Sequence, residues 1–312
     1  MNFFDRLKAY FVFFLIVLNT LFFGSVFYIL LPLKFFSWGR LEIILSKFFD
    51  IVAFRWIAVN NIFFKYISGA KVDINLPDDL DEKGWYLVIS NHQTWSDIFL
   101  LQWVLFKKVP FLKFFIKKEL IYVPVIGLIW WALDFPFMQR FSKKFLKKNP
   151  HLKGKDMETT KKSCEKFKFK PVAVMNFTEG TRNRNGKARL FNSPFKNLLR
   201  PKAGGAAFVL EAMGDKIKTI LDVTIVYPEK SPSLMSFLSG KAGDIVVEGR
   251  IMDVEDWMIG DYENSLEFRA KFQDFLNDMW KEKDQKISFI KDGLKEDGAE
   301  DASGLPEFEN NL

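Results

Sequence analysis

The chain has 312 residues, enough for one sizeable core, or for one domain plus an anchor. It is 49% hydrophobic and 17% aromatic, with 36 Phe, more apolar aromatic surface than a soluble domain of this length needs, so part of it is expected to meet lipid. A single cysteine, Cys164, excludes an intrachain disulfide and a cysteine metal cluster, and two histidines, His92 and His151, bound any histidine chemistry. The net charge is +7 even though the stretch 291–312 is acidic, so the body of the chain is strongly basic. A basic body suits anionic partners such as phospholipid headgroups, coenzyme A or an acidic carrier protein. Nucleic acid has only bulk charge in its favour, and a hydrophobic anchor argues against it.

Residues Ala9 to Leu33 form a nearly unbroken, uncharged apolar run of Phe, Leu, Ile and Val. At this length it spans a bilayer with some tilt and is too long for a cleaved signal peptide. Basic residues flank it on both sides, Arg6 and Lys8 before and Lys34 and Arg40 after, so the charge rule for orientation is indifferent between a true span and a helix pair dipping into one leaflet. Residues 1–40 are therefore a transmembrane or re-entrant anchor. Residues 41–70, apolar but interrupted by Glu42, Lys47, Asp50, Arg55 and Lys65, read as amphipathic helices at the membrane surface.

From about Lys71 short strands and helices alternate. Lys71–Leu76, Trp85–Ser90, Val172–Phe177, Leu221–Tyr227 and Asp244–Met252 read as strands. Ser96–Phe106, Asp156–Phe167, Lys202–Met213 and Ser265–Lys283 read as helices, the last with Phe268, Phe272, Phe275, Leu276 and Met279 on one face. The fold class is α/β: a mixed sheet flanked by helices over 71–290, preceded by the membrane-embedded helical segment. The acidic, weakly apolar tail 291–312 is expected to be disordered.

Two segments carry chemistry. In Trp85-Tyr-Leu-Val-Ile-Ser-Asn-His-Gln-Thr-Trp-Ser-Asp97, an apolar strand ends at Ser90, His92 follows at its carboxyl edge, and Asp97 lies in the first turns of a helix. A strand-to-helix turn can fold that carboxylate onto the imidazole, fixing its tautomer and leaving Nε2 to take a proton from a substrate alcohol. The same two residues also suit a helix cap and a hydrogen-bonded core histidine. In Val172-Ala-Val-Met-Asn-Phe-Thr-Glu-Gly-Thr-Arg182, another strand opens into a turn at Gly180, and Arg182 offers a planar fork suited to phosphate. Glu179 and Arg182 are costly to bury unless paired or liganded, and a surface turn with an ion pair reads equally well. His151 sits in a basic, Pro-containing loop and reads as solvated. Ser96 lacks a G-x-S-x-G elbow and is not read as a nucleophile, and no metal, dinucleotide or P-loop motif is present.

Taken together, Asn-His-x4-Asp at 91–97 and Phe-Thr-Glu-Gly-Thr-Arg at 177–182 resemble the glycerolipid acyltransferase family, which includes the 1-acylglycerol-3-phosphate acyltransferases. Asp134-Phe-Pro-Phe-Met-Gln-Arg140 resembles the family's second block, Val223-Thr-Ile-Val-Tyr-Pro228 its fourth, and Pro201-Lys-Ala-Gly204 the segment after its third. Other tracts look like a subfamily of bacterial inner-membrane acyltransferases related to lysocardiolipin and lysophosphatidylinositol acyltransferases. The resemblance implies His92 and Asp97 as the catalytic pair. It implies Arg140, Glu179, Gly180, Thr181, Arg182 and Lys202 as binders of the acceptor, with no cofactor and no metal. Acyl-CoA or acyl-carrier protein would be the donor, a lysophospholipid the acceptor, and the bacterial inner membrane the location, with the site on its cytoplasmic side. Phosphatidic acid synthesis from 1-acylglycerol-3-phosphate is the reaction expected. Remodelling of another lysophospholipid, a thioesterase and a non-enzymatic membrane adaptor are the alternatives. The third block departs from the family at Thr178, where Pro is usual, and the second reads Asp-Phe-Pro-Phe-Met-Gln-Arg; both changes bear on the acceptor headgroup.

Overall fold

The computed structural model describes residues 1–138, 148–149, 155–184, 192–228 and 231–303. The chain opens with α1 (Phe3–Phe35), begun by a reciprocal cap in which Asn2 Oδ1 accepts from the Asp5 N–H at 2.8 Å and Asp5 Oδ2 from the Asn2 N–H at 3.1 Å. A short turn leads into α2 (Gly39–Ile62), which continues as a π-helical turn to Ser68 and stops at Gly69. The two helices run antiparallel. Polar contacts fix their register: Asn19 Nδ2 donates to Asn60 Oδ1 at 2.9 Å, Trp56 Nε1 to Thr20 Oγ1 at 3.1 Å, and Lys34 Nζ to Ser46 Oγ at 2.6 Å. Between them Phe27 stacks on Phe49 with ring centroids 4.8 Å apart.

Among the described residues, α1 is the one helix long and apolar enough to cross a membrane. Only 22% of its most apolar window is buried, so most of that window faces outward from the protein. Phe3, Phe4, Leu7, Phe11, Phe14, Leu18, Leu21, Phe22 and Ile29 are exposed along it, and exposed apolar faces of this kind mark surfaces that meet lipid or another protein.

The remaining elements are β1 (Val72–Asn75), β2 (Trp85–Ser90), α3 (Ser96–Val104), β3 (Leu112–Phe114), β4 (Ile116–Lys117), α4 (Ile126–Ala132), β5 (Phe137–Met138), α5 (Lys155–Phe167), β6 (Val172–Phe177), α6 (Ala203–Met213), β7 (Thr219–Val226), α7 (Leu234–Leu238), β8 (Ile245–Asp253) and α8 (Leu266–Ser303). Six strands form one mixed sheet in the order β1-β8-β7-β2-β6-β3, antiparallel only between β7 and β8; β4 and β5 pair separately. The central strands β2 and β6 are apolar and buried on both faces, as strands between helical layers must be, while the edge strand β1 is largely exposed. Leu87, Ile89, Val172 and Val174 face α6 and α8. Val88, Ala173, Met175, Leu221, Val223 and Ile225 share the other face with Leu100, Leu101 and Val104 of α3 and with the hairpin.

The five expected strands and four expected helices over 71–283 all form. Helix α8 runs beyond Lys283 to Ser303 because its apolar stripe continues through Ile287, Ile290 and Leu294. β3 was not anticipated: its residues lie in a Phe-rich run with no alternation.

Candidate active site

Strands β7, β2 and β6 are adjacent and parallel, with Ser90 opposite Val223 on one side and Phe177 on the other. Their carboxyl ends therefore deliver three turns to one edge of the sheet, where α/β folds gather ligands. After β2 come Asn91 and His92, after β6 comes Thr178–Arg182, and after β7 comes Tyr227. Backbone bonds tie the first two turns together: the Asn183 N–H donates to the His92 carbonyl at 2.7 Å.

His92 Nδ1 lies 2.8 Å from Asp97 Oδ2. That oxygen also accepts from the Gln93 and Thr94 N–H groups, so Nδ1 is the donor and the tautomer is set. The imidazole lies flat on Phe177, with centroids 3.9 Å apart and planes inclined by 14°. Its Nε2 has no protein partner among the described residues. The ring lines a cavity of about 720 Å³, a volume within the range of small-molecule sites. Phe23, Gly24 and Phe27 of α1, Trp56 of α2, Phe111, Phe114 and Ile129 make most of that cavity apolar; His92, Gly180, Thr181 and Arg182 make one end polar. At Gly24 an added Cβ would lie 3.2 Å from Ile129 Cδ1, so glycine lets α1 approach α4 here.

Gly180 adopts φ +68, the left-handed conformation that the turn after β6 needs. Arg182 stacks its guanidinium over the Trp95 indole at 3.5 Å, with Nε buried and without a hydrogen-bond partner among the described residues. The stacking holds the planar fork at the polar end of the cavity. Lys202 donates its N–H to the Thr178 carbonyl at 2.7 Å, and its side chain, exposed to solvent, covers Gly180 from outside the cavity. Arg140 and His151 lie outside the described residues.

Glu179 is not paired with Arg182. It is 1% exposed, lies behind the His92 turn, and accepts from the His92 N–H at 3.4 Å. Burial raises its carboxyl to about 8, against the pull of the His92 and Leu199 backbone N–H groups. Glu179 is then neutral at pH 7. An unfolded chain would release that proton near 4.5 and the folded chain near 8, so stability falls as pH rises through this window. Glu179→Gln is expected to remove the fall, raising stability at pH 7 by up to roughly 3 kcal/mol and leaving it unchanged near pH 4. Thermal unfolding of both proteins at the two pH values checks this; a difference independent of pH would contradict it.

Sequence reasoning gave Tyr227 no role. Its hydroxyl donates to Asp97 Oδ1 at 2.7 Å. Period-two alternation was the available signal, since it places Tyr227 on the face of Leu221, Val223 and Ile225, beneath the helix that carries Asp97.

A buried imidazole held by a carboxylate, a stacked guanidinium and a largely apolar cavity together suit a site that handles a ligand with one polar end and one apolar end. Residues 71–228 match the profile of the acyltransferase family, half of the chain, and the chain belongs to that family. It is 27% identical over 235 residues to the 2-acyl-1-lysophosphatidylinositol acyltransferase of Saccharomyces cerevisiae, a match covering 64% of this chain and 59% of that protein. It is 28% identical over 181 residues to 1-acyl-sn-glycerol-3-phosphate acyltransferase 3 of Arabidopsis thaliana, covering 53% of this chain and 44% of that one. The chain thus spans about half the length of these curated relatives. The crystal structure of the 1-acyl-sn-glycerophosphate acyltransferase PlsC from Thermotoga maritima is similar with a TM-score of 0.49 at 17% identity, covering 92% of this chain and 96% of that one.

Proposed function

We propose that the protein transfers a fatty acyl group from acyl-CoA or acyl-carrier protein to the free hydroxyl of a lysophospholipid, with 1-acylglycerol-3-phosphate as acceptor and phosphatidic acid as product. The observation that carries this reading is the His92–Asp97 pair at the polar end of an apolar cavity, with Nε2 unpartnered among the described residues. The acceptor hydroxyl attacks the thioester carbonyl as His92 Nε2 takes its proton. Asp97 stabilises the imidazolium that results. The tetrahedral intermediate collapses by breaking the carbon–sulfur bond, and the imidazolium returns the proton to the leaving thiolate. No covalent acyl-enzyme is required. Arg182 holds the acceptor phosphate, with Arg140 as a second cation and Lys202 at the rim. The acyl chain occupies the aromatic cavity between the hairpin and the sheet.

The apolar face of α1 supports membrane residence. The bacterial inner membrane, with the site on the cytoplasmic side where both donors occur, fits this reading. A second acceptor is favoured by one observation, the similarity to a yeast enzyme named for lysophosphatidylinositol. Purified protein assayed against a panel of lysophospholipids with each donor separates the two. Highest kcat/KM with lysophosphatidic acid is expected; highest kcat/KM with lysophosphatidylinositol would keep the mechanism and reassign the acceptor.

A further inference from the structure

Asp97 is fully buried, and its two oxygens have different duties. Oδ2 accepts from the imidazole and from two backbone N–H groups. Oδ1 accepts from the Tyr227 hydroxyl at 2.7 Å and, among the described residues, from nothing else. The end of β7 grips the same turn a second time. Asn91 Nδ2 donates to the Ile225 carbonyl at 2.8 Å while Asn91 Oδ1 accepts from the Ile225 N–H at 2.9 Å, and Gln93 Nε2 donates to the same carbonyl at 3.1 Å. Residues on either side of His92 and the carboxylate beneath it are thus all anchored to Ile225 and Tyr227.

We propose that Tyr227 is a positioning residue for the base, acting through Asp97 Oδ1. The proposal rests on the reading of His92 as general base. A carboxylate held at Oδ2 alone can rotate about its Cβ–Cγ bond, and the phenol at Oδ1 stops that rotation, keeping Oδ2 in line with Nδ1. The phenol is suited to this: it is fully buried, and burial followed by the Asp97 charge pushes its proton affinity well above the ordinary value, so it stays a donor at any working pH. By stabilising the negative charge on Asp97, the hydrogen bond also restrains how strongly the carboxylate attracts the imidazolium. The charged or titratable groups around the pair are Glu179 and Arg182 from the turn after β6, Tyr227 from β7, and Lys283 of α8, which lies behind Glu179. Tyr227→Phe changes only one of these, and removes a single oxygen.

The chain's two histidines make a direct test practicable. Full-length protein in detergent, labelled with ¹³C-histidine, is titrated by NMR, with His92→Ala assigning the resonances. Tyr227→Phe is expected to raise the His92 midpoint by about half a pH unit to one unit, and to shift the acid limb of the rate profile by the same amount. It is expected to lower kcat about 10-fold with KM for donor and acceptor unchanged. In an Asp97→Asn background the same substitution should leave the midpoint where it was. An unchanged midpoint in the single variant, or a shift that persists beside Asp97→Asn, would overturn the proposal. A wild-type protein without acyl transfer would refute the reading of the reaction, while the histidine titration would still report whether Tyr227 acts through Asp97.

Discussion

His92→Ala is expected to lower the kcat for acyl transfer by about 10³- to 10⁴-fold while leaving the KM of the acceptor within a few-fold of wild type. In the proposed mechanism the imidazole takes the hydroxyl proton and returns it to the leaving thiol, so its loss removes both transfers. In the proposed mechanism the acceptor phosphate is held by Arg182, whose guanidinium stacks on Trp95, and that stacking does not involve His92. Some transfer above background should persist, because binding and orientation still act. The substitution leaves a gap over Phe177 but places no charge in the interior, so thermal unfolding should stay near that of wild type. Steady-state kinetics beside a melting curve checks both halves. Activity within 10-fold of wild type in a folded variant would end the general-base account.

Asp134→Ala is expected to cost roughly 3–5 kcal/mol of stability, the usual loss when one partner of a buried ion pair is removed. Asp134 sits where the helical hairpin meets the sheet domain. Lys34 of α1 lies 3.2 Å from its Oδ1 and Lys166 of α5 3.4 Å, while Lys170 lies 3.6 Å from Oδ2. Asp50 of α2 completes the cluster through Lys113 and Lys170, and Glu42 through Lys166. Burial pushes the Asp134 carboxyl up, but Lys34, then Lys170, Lys113 and Lys166, outweigh it and hold it at about 2. Lys113, fully enclosed, is drawn down to about 8 by burial against the pull of Asp50. Without Asp134, Lys34 and Lys170 become buried cations with too little opposing charge, and the hairpin loses its tie to the domain through Lys34 while keeping the one through Asp50. The folded-state value lies below the ordinary carboxylate value near 3.8, so this contribution is complete above pH 4 and disappears as pH falls toward 2. The melting temperature of Asp134→Ala should drop by on the order of 10 °C at pH 7. A change within 2 °C would show that the cluster does not hold the hairpin.

How far each part could be read from residues follows from the range of the interaction concerned. The five strands and four helices expected over 71–283 follow from local periodicity, and the His92–Asp97 contact from a five-residue spacing across a strand-to-helix turn. Glu179 and Arg182, three residues apart in a polar turn, read as a pair by the same local logic. The fold separates them, turning Glu179 toward the His92 backbone and Arg182 onto Trp95. The Lys34–Asp50–Lys113–Asp134–Lys166–Lys170 cluster joins α1, α2, β3, the segment after α4, α5 and the approach to β6, and no window of sequence contains it. Lys113 was the hardest to foresee: in Phe111-Leu-Lys-Phe-Phe115 it reads as a polar interruption, yet it is 0% exposed. Tyr227 meets Asp97 across 130 positions, and alternation gives the face of the sheet on which the tyrosine lies but not the partner of its hydroxyl.

The central claim is that the acyl group passes to a lipid hydroxyl and not to water. Release of the donor thiol from acyl-CoA or acyl-carrier protein, followed with and without lysophospholipid while acylated lipid and free fatty acid are quantified, tests it most directly. The account predicts thiol release that depends on the lysophospholipid and equals the acylated lipid formed, mole for mole. Thiol release that proceeds equally without acceptor and yields free fatty acid would make the protein a hydrolase, and no release from either donor with any acceptor would contradict an enzymatic role altogether.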